Sequence, residues 1–393
     1  MIEDMTNNNA RWSGGLYVHV PFCERKCVYC DFFSVESLEP VEEYLSALEE
    51  EIRMSADAVR GMHAATVYLG GGTPSLLSPA QLDRVLSGLR EQVPFEPGAE
   101  ITLEVNPGTV TLQSLRDMRR LGFNRLSIGI QSFDDAELKF LGRIHTADDA
   151  RRCISDARAA GFDNISIDLI VSLPGQDEER CEASLREAVS LEPQHISAYT
   201  LIVEDHTPLS QWVKTGQVKP NDEHREAALY EKTMAILNLA GYEHYEVSNY
   251  ARPGFRSKHN SSYWTHTTYL GFGPSAHSFL WKEGETKARR WSNVRSIGRY
   301  CDQLRQREHP LEREETLDAG QLFDEAVFLG LRSDGLDPML LARRWGKGLT
   351  ERQHAVVRDI CSEGWAVVED GRIRLTARGF LLCDEICARL MVP

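Results

Sequence analysis

The sequence predicts an α/β fold with a largely parallel sheet, and three observations support this. Short apolar, β-branched runs recur through residues 16–203, a helical pattern follows each run, and the pair of elements occurs six times. Parallel strands joined by helices form right-handed crossovers. The pattern by itself is compatible with a barrel, a partial barrel or an open sheet.

Each element follows from its local composition. The six strands are predicted at the apolar, β-branched runs 16–22, 66–70, 100–105, 125–131, 164–171 and 195–203. The helices are predicted at 39–60, 78–91, 111–121, 147–160, 177–191 and 222–240. In the first helix, Tyr44, Leu45, Leu48 and Ile52 form one apolar stripe, which is the face expected to pack on the sheet.

The pattern changes after about residue 241. Residues 241–250 predict one more strand, and residues 251–280, rich in Gly, Ser, His and aromatic side chains, are typical of a loop or binding surface. A helical region is predicted from about residue 312, with helices at 340–345, 350–363 and 377–390 and a hairpin at 365–375 turning at Asp370 and Gly371. This order is typical of a winged-helix-like unit.

We therefore expect four parts in the chain. They are a flexible N-terminal tail over 1–15, an α/β core over 16–250, a separate segment over 251–311, and a C-terminal helical, winged-helix-like domain over 312–393. Winged-helix units bind DNA or pack against a catalytic domain. The acidic balance of the chain favours packing.

Composition excludes several classes of protein. The chain has 393 residues, 42% of them hydrophobic and 26% charged, which excludes collagen-like, low-complexity and wholly disordered proteins. Lys and Arg total 44 against 59 Asp and Glu, and a net charge of −15 without a basic run argues against nucleic acid as a partner. The N-terminus lacks the pattern of a secretory signal and no stretch approaches about 18 apolar residues, so we expect a cytoplasmic location.

Three of the nine cysteines lie close together, in the pattern C-x3-C-x2-C formed by Cys23, Cys27 and Cys30. Structural zinc sites normally use four protein ligands, and no second pair lies nearby. Three thiolates instead suit a [4Fe-4S] cluster with one iron that lacks a protein ligand, although four cysteines are usual. The alternative is that the three thiols are buried as small hydrophobic groups.

The other polar motifs lie where predicted strands end. The cysteine loop follows the first strand, a Gly-Gly-Gly-Thr-Pro run at 70–74 ends the second, Glu104 ends the third, Gln131 ends the fourth and Asp168 lies in the fifth. The carboxyl ends of parallel strands meet at one edge of the sheet, where α/β proteins place their active sites. We expect these segments to converge on one site.

The cysteine loop and the Y-x-H-x-P-F segment at 17–22 resemble the signature of radical S-adenosylmethionine (SAM) proteins, in particular the branch that contains anaerobic coproporphyrinogen III oxidase. The resemblance covers essentially the whole chain from Tyr17 onward. It implies a partial (β/α)6, TIM-like barrel as the core over 16–250. It also implies a [4Fe-4S] cluster on the three cysteines, with SAM bound to the open iron.

The resemblance further implies which residues contact SAM. They are Tyr17, Tyr29, Gly71, Gly72, Thr73, Glu104, Gln131, Arg143 and Asp168. Taken singly, each has a structural interpretation, such as a tight turn, a capping carboxylate, a loop amide, a solvated arginine or an aromatic shield beside the metal loop. A carboxylate inside an apolar strand is costly to bury without a partner, and this favours a functional role for Asp168.

Two features separate the chain from the oxidases of this branch. Those enzymes carry a further N-terminal arm and a fourth cysteine two residues after the third, whereas this chain has 16 residues before Tyr17 and has Phe32 at the cysteine position. The chain more closely resembles the HemW family of heme chaperones. That resemblance rests on residues 30–32, 106–110 and 141–145 and on the H-N-x-x-Y-W motif at 259–264.

The H-N-x-x-Y-W motif is linked in that family to heme, which implies heme contacts by His259, Tyr263 and Trp264. Neutral imidazole is a good axial ligand for heme iron, and aromatic rings can shield a porphyrin face. A histidine near aromatic rings is also a common packing residue. Three other histidines stay open as ligands, and these are His206, His266 and His277.

The leading hypothesis is a heme chaperone on a radical SAM scaffold, with no catalytic residue assigned. It would bind the cluster, SAM and heme, take electrons from a donor, form a homodimer, and deliver heme to apo-hemoproteins such as respiratory enzymes, which alone would bring it near a membrane. The alternative is an enzyme, an oxygen-independent coproporphyrinogen III dehydrogenase. A third hypothesis is a DNA-binding regulator that combines an iron-sulfur sensor with the C-terminal unit.

Overall fold

The structure is a computed structural model that describes residues 11–282 and 284–391. Its strands are β1 (Trp12–Val20), β2 (Met62–Gly71), β3 (Phe95–Val105), β4 (Arg125–Gln131), β5 (Ile165–Val171), β6 (His195–Thr200), β7 (Glu243–Glu246), β8 (Asn249–Ala251), β9 (Tyr269–Phe272), β10 (His277–Leu280), β11 (Lys287–Asn293), β12 (Leu311–Asp318), β13 (Ala366–Glu369) and β14 (Arg372–Leu375).

The helices alternate with the first six strands and then dominate the C-terminal part. They are α1 (Val41–Met54), α2 (Pro79–Gln92), α3 (Leu112–Leu121), α4 (Asp135–Phe140), α5 (Ala147–Ala159), α6 (Glu178–Ser190), α7 (Pro208–Lys214), α8 (Glu223–Leu239), α9 (Lys258–Trp264), α10 (Ile297–Arg305), α11 (Ala319–Leu331), α12 (Pro338–Trp345), α13 (Glu351–Ser362), α14 (Ala377–Leu381) and α15 (Cys383–Met391), with a 3-10 turn at Pro74–Leu76.

A twelve-stranded sheet organises the molecule, in the order β12-β11-β10-β9-β1-β2-β3-β4-β5-β6-β8-β7. Strands β1 to β6 lie side by side in chain order and are parallel, and β9 is parallel to β1 on the other side. The other strands of this sheet pair antiparallel. The predicted α/β class, with six parallel strand and helix units, is confirmed.

The main hydrophobic core lies between the parallel strands and their helices. Each strand contributes fully buried apolar side chains, for example Leu16, Val67, Leu103, Leu126 and Ile167 from β1 to β5. Parallel strands covered on both faces are expected to be this uniformly apolar. Several helices begin with a capping box, as at Ser78, Thr111 and Thr146, so that the local sequence fixes where each crossover starts.

The first strand starts earlier than predicted. Residues 1–10 of the expected tail lie outside the described residues, but Trp12 to Gly15 already belong to β1 and pair with β2. The glycines at 14 and 15 conceal this strand in the sequence. An added Cβ at Gly15 would lie 2.9 Å from Thr66 Oγ1, so the absence of a side chain is what lets β1 approach β2.

The segment after residue 241 was the least accurate part of the prediction. Residues 241–250 hold a two-stranded hairpin, β7 and β8, instead of one strand, and 251–280 contain α9, β9 and β10 instead of a loop. Only four residues long, β9 is specified by its pairing with residues 15–18 of β1, a contact far away in sequence. Local periodicity carries no signal for such a pairing.

The region from residue 312 likewise begins with a strand. Residues of β12 pair with β11, and the carboxylates of Glu314 and Glu315 meet Arg289 and Arg290 across the pair. The run of glutamates looks helical in isolation, but opposite charges on adjacent strands stabilise the sheet. Helices begin at Ala319.

The C-terminal part has a hydrophobic core of its own, which runs from Phe323 to Leu390. Its helices α11, α12 and α13 precede the β13–β14 hairpin, followed by α14 and α15, in the order expected of a winged-helix-like unit. The hairpin turns at Asp370 (φ 51°) and Gly371 (φ 78°), as predicted for a turn that needs two left-handed residues. The proposed domain boundaries stay predictions.

A search for membrane-crossing helices among the described residues finds none of sufficient length and apolarity.

Candidate functional site

A cavity of about 490 Å³ opens at the carboxyl ends of the six parallel strands. It is lined by the cysteine loop after β1, by residues 71–73 after β2, and by the ends of β3 to β6. Its walls include Cys23, Cys27, Cys30, Tyr29, Gly71, Gly72, Thr73, Glu104, Gln131, Arg143 and Asp168. The structure therefore brings together the three cysteines and all the predicted SAM contacts except Tyr17.

The cysteine loop is anchored to the neighbouring segments by its backbone. Cys23 N–H donates to Val35 O at 2.9 Å, Cys30 N–H donates to Cys27 O at 3.3 Å, and Val28 N–H donates to Leu141 O at 3.3 Å. All three cysteines are half-buried free thiols. Burial raises the pKa of Cys30 to about 11, so a bound metal centre would be needed to keep it as a thiolate at neutral pH.

Among the described residues, no group of three or more His, Cys, Asp or Glu side chains is arranged to hold one metal ion. In a [4Fe-4S] cluster each thiolate binds a different iron, so three cysteines on one loop suit a cluster with one iron that lacks a protein ligand.

Arg143 links the cysteine loop to β3 and β4. Its Nη1 lies 3.4 Å from Cys27 Sγ, and its Nη2 donates to Asn106 Oδ1 at 2.6 Å and to Gly129 O at 2.7 Å. An added Cβ at Gly129 would lie 2.7 Å from Asn106 Oδ1, so only glycine leaves room for this arrangement. The guanidinium places a positive charge against a thiol that would carry negative charge in a cluster.

The same network continues to the glycine-rich loop. Asn106 Nδ2 donates to Thr73 Oγ1 at 2.8 Å, and Thr73 Oγ1 lies 3.7 Å from Cys23 Sγ. An added Cβ at Gly72 would lie 2.6 Å from Phe22 O, which shows how closely this loop packs on the cysteine loop. The spacing of the cysteine and glycine segments is thus set by backbone contact.

Two half-buried carboxylates face the cavity from β3 and β5. Glu104 accepts hydrogen bonds from Tyr68 Oη at 2.7 Å and from Gly71 N–H at 3.0 Å, while Asp168 accepts from Ser127 Oγ at 3.2 Å. Burial raises the pKa of Glu104 to about 7 and also raises the pKa of Asp168. Neither group forms an ion pair within the described residues, so a cationic ligand in the cavity would be the partner that stabilises their ionised forms.

Tyr68 is a site residue that the sequence reasoning missed. It lies in β2 two residues before the glycine run, lines the cavity, and holds Glu104 in place. Its side chain stacks on Tyr17, with ring centroids 6.1 Å apart. Tyr17 itself lies behind Tyr68 and bonds to His19 Nδ1 at 3.1 Å, so it supports the cavity wall and does not contribute to it. The available signal was its position near the carboxyl end of β2, shortly before the glycine run, because that end of each parallel strand lines the cavity.

Gln131 ends β4 with a φ of 72°, in the left-handed region that favours glycine. Such a backbone costs on the order of 1–3 kcal/mol for a residue with a side chain and is common at functional sites. The turn directs the chain from β4 toward α4 while the side chain lines the cavity.

The cavity mouth carries apolar side chains in an exposed position. Phe32 is 68% exposed, Ile202 is 67% exposed and Tyr199 is 43% exposed, and all three line the opening. Arg25 and Lys26 lie on the same rim. Exposed apolar groups of this size beside cations suit a partly apolar anionic ligand or a partner protein.

The predicted heme residues do not share one cavity. His259 is only 1% exposed, and its ring is held between Thr66 Oγ1 (Nδ1, 2.8 Å) and Tyr263 Oη (Nε2, 2.9 Å). Burial lowers the pKa of His259 to about 3, so the ring is neutral. Trp264 lines a second cavity on the other side of α9, whereas Asn260 lines the first.

The alternative histidines differ in their surroundings. His206 and His277 are exposed. His266 is buried, lines the second cavity together with Trp264, and bonds through Nε2 to Glu325.

Comparison with known proteins agrees with this geometry. The sequence matches the Radical SAM superfamily over residues 17–188 and the HemN C-terminal domain over residues 317–382. It is 34% identical to the heme chaperone HemW of Bacillus subtilis (strain 168) over 94% of this chain and 97% of that protein. It is 35% identical to the heme chaperone HemW of Escherichia coli (strain K12) over 92% of this chain and 96% of that protein.

A solved structure supports the same assignment at the level of fold. The structure described as "Coproporphyrinogen III oxidase (HemN) from Escherichia coli is a Radical SAM enzyme" superposes with a TM-score of 0.82 and 27% identity, over 97% of this chain and 90% of that one. The radical SAM fold predicted from the sequence is thus confirmed, including its C-terminal unit. Because the similarity to the heme chaperones spans nearly the full length of both partners, the chain belongs to the HemW family of radical SAM proteins.

Proposed function

We propose that this protein is a heme chaperone that carries a [4Fe-4S] cluster and SAM and transfers heme to apo-hemoproteins such as respiratory enzymes. The observation that carries the proposal is the full-length similarity to proteins named as heme chaperones in several bacteria. The site geometry supports it independently, because the cavity provides a place for both cofactors.

The residues around the cavity fit the cluster and SAM. Cys23, Cys27 and Cys30 would hold three irons, and Arg143 would offset the negative charge at Cys27. Glu104 and Asp168 would bind the cationic groups of SAM, and the backbone at Gly71 and Gly72 would take its amino-acid end. In this superfamily a reduced cluster supplies the electron that cleaves SAM.

The alternative function is that of an oxygen-independent coproporphyrinogen III dehydrogenase, and the observation in its favour is the close superposition on the oxidase structure. The position two residues after the third cysteine argues for the chaperone. Phe32 occupies it here and presents an exposed aromatic ring where a fourth cysteine would place a thiol. The DNA-binding hypothesis gains no support from the net charge of −15.

One preparation can decide between the two leading functions. After anaerobic reconstitution, iron and sulfide content would be measured, followed by hemin titration, transfer of bound heme to an apo-hemoprotein, and an assay with coproporphyrinogen III, SAM and a reductant. We expect hemin binding and transfer without protoporphyrinogen. Formation of protoporphyrinogen would establish the enzyme instead, and a protein that binds no hemin would refute the chaperone proposal.

The partners and location remain predictions of the same proposal. The recipient hemoprotein, an electron donor, a homodimer and a cytoplasmic location each need a separate measurement. Sedimentation of the reconstituted protein with and without SAM would test the homodimer.

A further inference from the structure

Arg125 begins β4 and has the largest fully buried side chain in the described part of the chain. It is 1% exposed. Ser127, two residues later on β4, lines the cavity at the strand ends, and alternate residues of a strand share one face of the sheet. Arg125 therefore lies on the inner face of the sheet, beneath the floor of the cavity.

The guanidinium of Arg125 is buried without an ion-pair partner. No carboxylate in the described ranges lies within 4.0 Å of its nitrogens, and its Nε is buried without a hydrogen-bond partner. Burying a charge in this way is costly, and an apolar side chain of similar size would fill the space at lower cost. Packing alone therefore does not explain an arginine at this position.

The two cavity carboxylates lie one row above Arg125 on the same face. Thr102 is the Cα partner of Arg125 on β3, and Glu104 follows Thr102 by two residues. Asp168 accepts from Oγ of Ser127 at 3.2 Å. Because two residues along a strand span about 7 Å, the cation and both carboxylates share one interior that water screens poorly.

The charge of Arg125 opposes the effect of burial on these carboxylates. Burial raises the pKa of Glu104 to about 7 and also raises the pKa of Asp168, and repulsion from Asp168 adds to the rise at Glu104. Arg125 lowers the pKa of both groups. Arg143 acts in the same direction on Asp168.

The other titratable groups in this interior are neutral near pH 7. Burial raises the pKa of the tyrosines and lowers the pKa of the histidines, and these residues are Tyr17, Tyr68, Tyr199, Tyr245, Tyr263, His195 and His259. A further carboxylate on β3, Glu100, accepts from the backbone N–H groups of Lys258 and His259 at 3.1 Å. Arg125 is thus the cation beneath the cavity floor that acts on Glu104 and Asp168 together.

We propose that Arg125 is a positioning residue for SAM, which from beneath the cavity keeps Glu104 and Asp168 in the ionised form that binds a cationic ligand. This rests on the proposed function, in which SAM is the ligand of the two carboxylates. Arg125 does not line the cavity, so it acts through the carboxylates and makes no contact with SAM. Without it, two neighbouring carboxyl groups would favour protonation, and SAM would meet neutral acids.

The test measures SAM affinity across pH by equilibrium dialysis, for anaerobically reconstituted wild type and Arg125→Met. Loss of the charge should move the midpoint of the binding curve upward from its wild-type value of about 7. For a shift of about one pH unit, SAM should bind about fivefold more weakly at about pH 7 and about equally at about pH 9. Arg125→Lys keeps a positive charge and should restore the wild-type midpoint.

Matched variants separate the charge from packing and from the net charge of the protein. Arg125→Gln keeps a polar side chain without the charge and should show the same shift as Arg125→Met, which also covers the case in which the methionine variant does not fold. Arg116→Met removes an exposed arginine of α3 and should leave the curve unchanged. Thermal unfolding establishes that each variant folds.

Infrared spectroscopy follows the carboxyl groups directly, without SAM. The C=O stretch of protonated Glu104 is the band that Glu104→Gln lacks, and in Arg125→Met this band should persist to higher pH than in wild type. An unchanged midpoint in both uncharged variants, or a loss of SAM affinity that is equal at every pH, would overturn the inference and leave the proposed function intact. Wild type that binds no SAM would refute the proposed SAM site and this inference with it.

Discussion

The Nη1 atom of Arg143 lies 3.4 Å from the sulfur of Cys27. The two residues are separated by 116 positions in the chain, and Arg143 also holds the carbonyl of Gly129 and the amide oxygen of Asn106. A positive charge fixed beside one cluster ligand favours the more negative, reduced state of a cluster. Arg143 would therefore stabilise the reduced form of a cluster bound to these cysteines.

Replacing Arg143 by Gln should lower the reduction potential of the cluster, because it removes that positive charge. Arg143→Lys keeps a charge at somewhat greater distance, so its potential should lie between those of the glutamine variant and wild type. Anaerobic redox titration followed by electron paramagnetic resonance measures the change. A glutamine variant with the wild-type potential and full iron content would contradict this role.

Serine substitution at Cys23, Cys27 or Cys30 should each abolish stable cluster assembly. The expected result is a large loss of iron and acid-labile sulfide after reconstitution, since the oxygen of serine is a poor substitute for a thiolate ligand. Cys361→Ser on α13 is the matched control, because Cys361 is a half-buried free thiol outside the cavity. Equal iron content in a loop variant and in this control would rule out the assignment.

SAM affinity should rise with pH through about 7, because Glu104 has a pKa raised by burial to about 7. Below this pH the carboxyl group is protonated and neutral, and above it the carboxylate attracts the cationic ligand. Glu104→Gln should bind SAM more weakly at pH 8 and with a flatter pH profile, as measured by equilibrium dialysis. If the variant kept the wild-type pH dependence, another group would be responsible.

The close packing of the glycine loop can be tested by an alanine substitution at Gly72, with an alanine substitution at Gly88 in α2 as the control. Gly72→Ala would place a Cβ 2.6 Å from the backbone oxygen of Phe22, so the two loops must separate, and both SAM binding and iron content should fall. Gly88→Ala in α2 meets only Ile52 at 3.9 Å and should stabilise the helix by up to about 1 kcal/mol. Iron content, SAM binding and thermal unfolding report both results. Normal cofactor loading in Gly72→Ala would show that the close approach is not required.

The stability of the fold should fall between about pH 4.5 and pH 7 through Glu51. This buried carboxyl accepts from Gly273 N–H at 2.7 Å, Asn293 Nδ2 at 2.5 Å and Tyr300 Oη at 2.6 Å, yet burial raises its pKa to about 7. The folded state therefore keeps a proton that the unfolded chain releases above about pH 4.5. The effect is on the order of 3 kcal/mol at most.

The comparison needs a variant that removes this titration. Glu51→Gln should show a shallower fall in unfolding free energy over that pH range, although its absolute stability drops because an amide satisfies three donors poorly. The exposed Glu39→Gln should follow the wild-type curve. Parallel curves for Glu51→Gln and wild type in denaturant titrations would assign the pH dependence to other carboxyls.

The sequence alone was sufficient for the parts of the fold and site that are local. Helices α1 to α3, α5, α6 and α8 were predicted to within two residues of their ends, except that α1 ends six residues earlier than predicted. The agreement arises because apolar periodicity and capping residues are encoded within each segment. The cysteine spacing and the strand-end position of Glu104, Gln131 and Asp168 predicted one shared cavity, because parallel strands necessarily end at the same edge.

Only the tertiary structure decided what depends on contacts between distant segments. The pairing of β9 with β1, the hydrogen bond from Tyr68 to Glu104, and the hydrogen bond between His259 and Thr66 join residues far apart in sequence. The same is true of His266 and Glu325, whose side chains are hydrogen-bonded across 59 positions of the chain. A motif specifies which side chains are present, whereas packing decides which of their atoms remain free to bind.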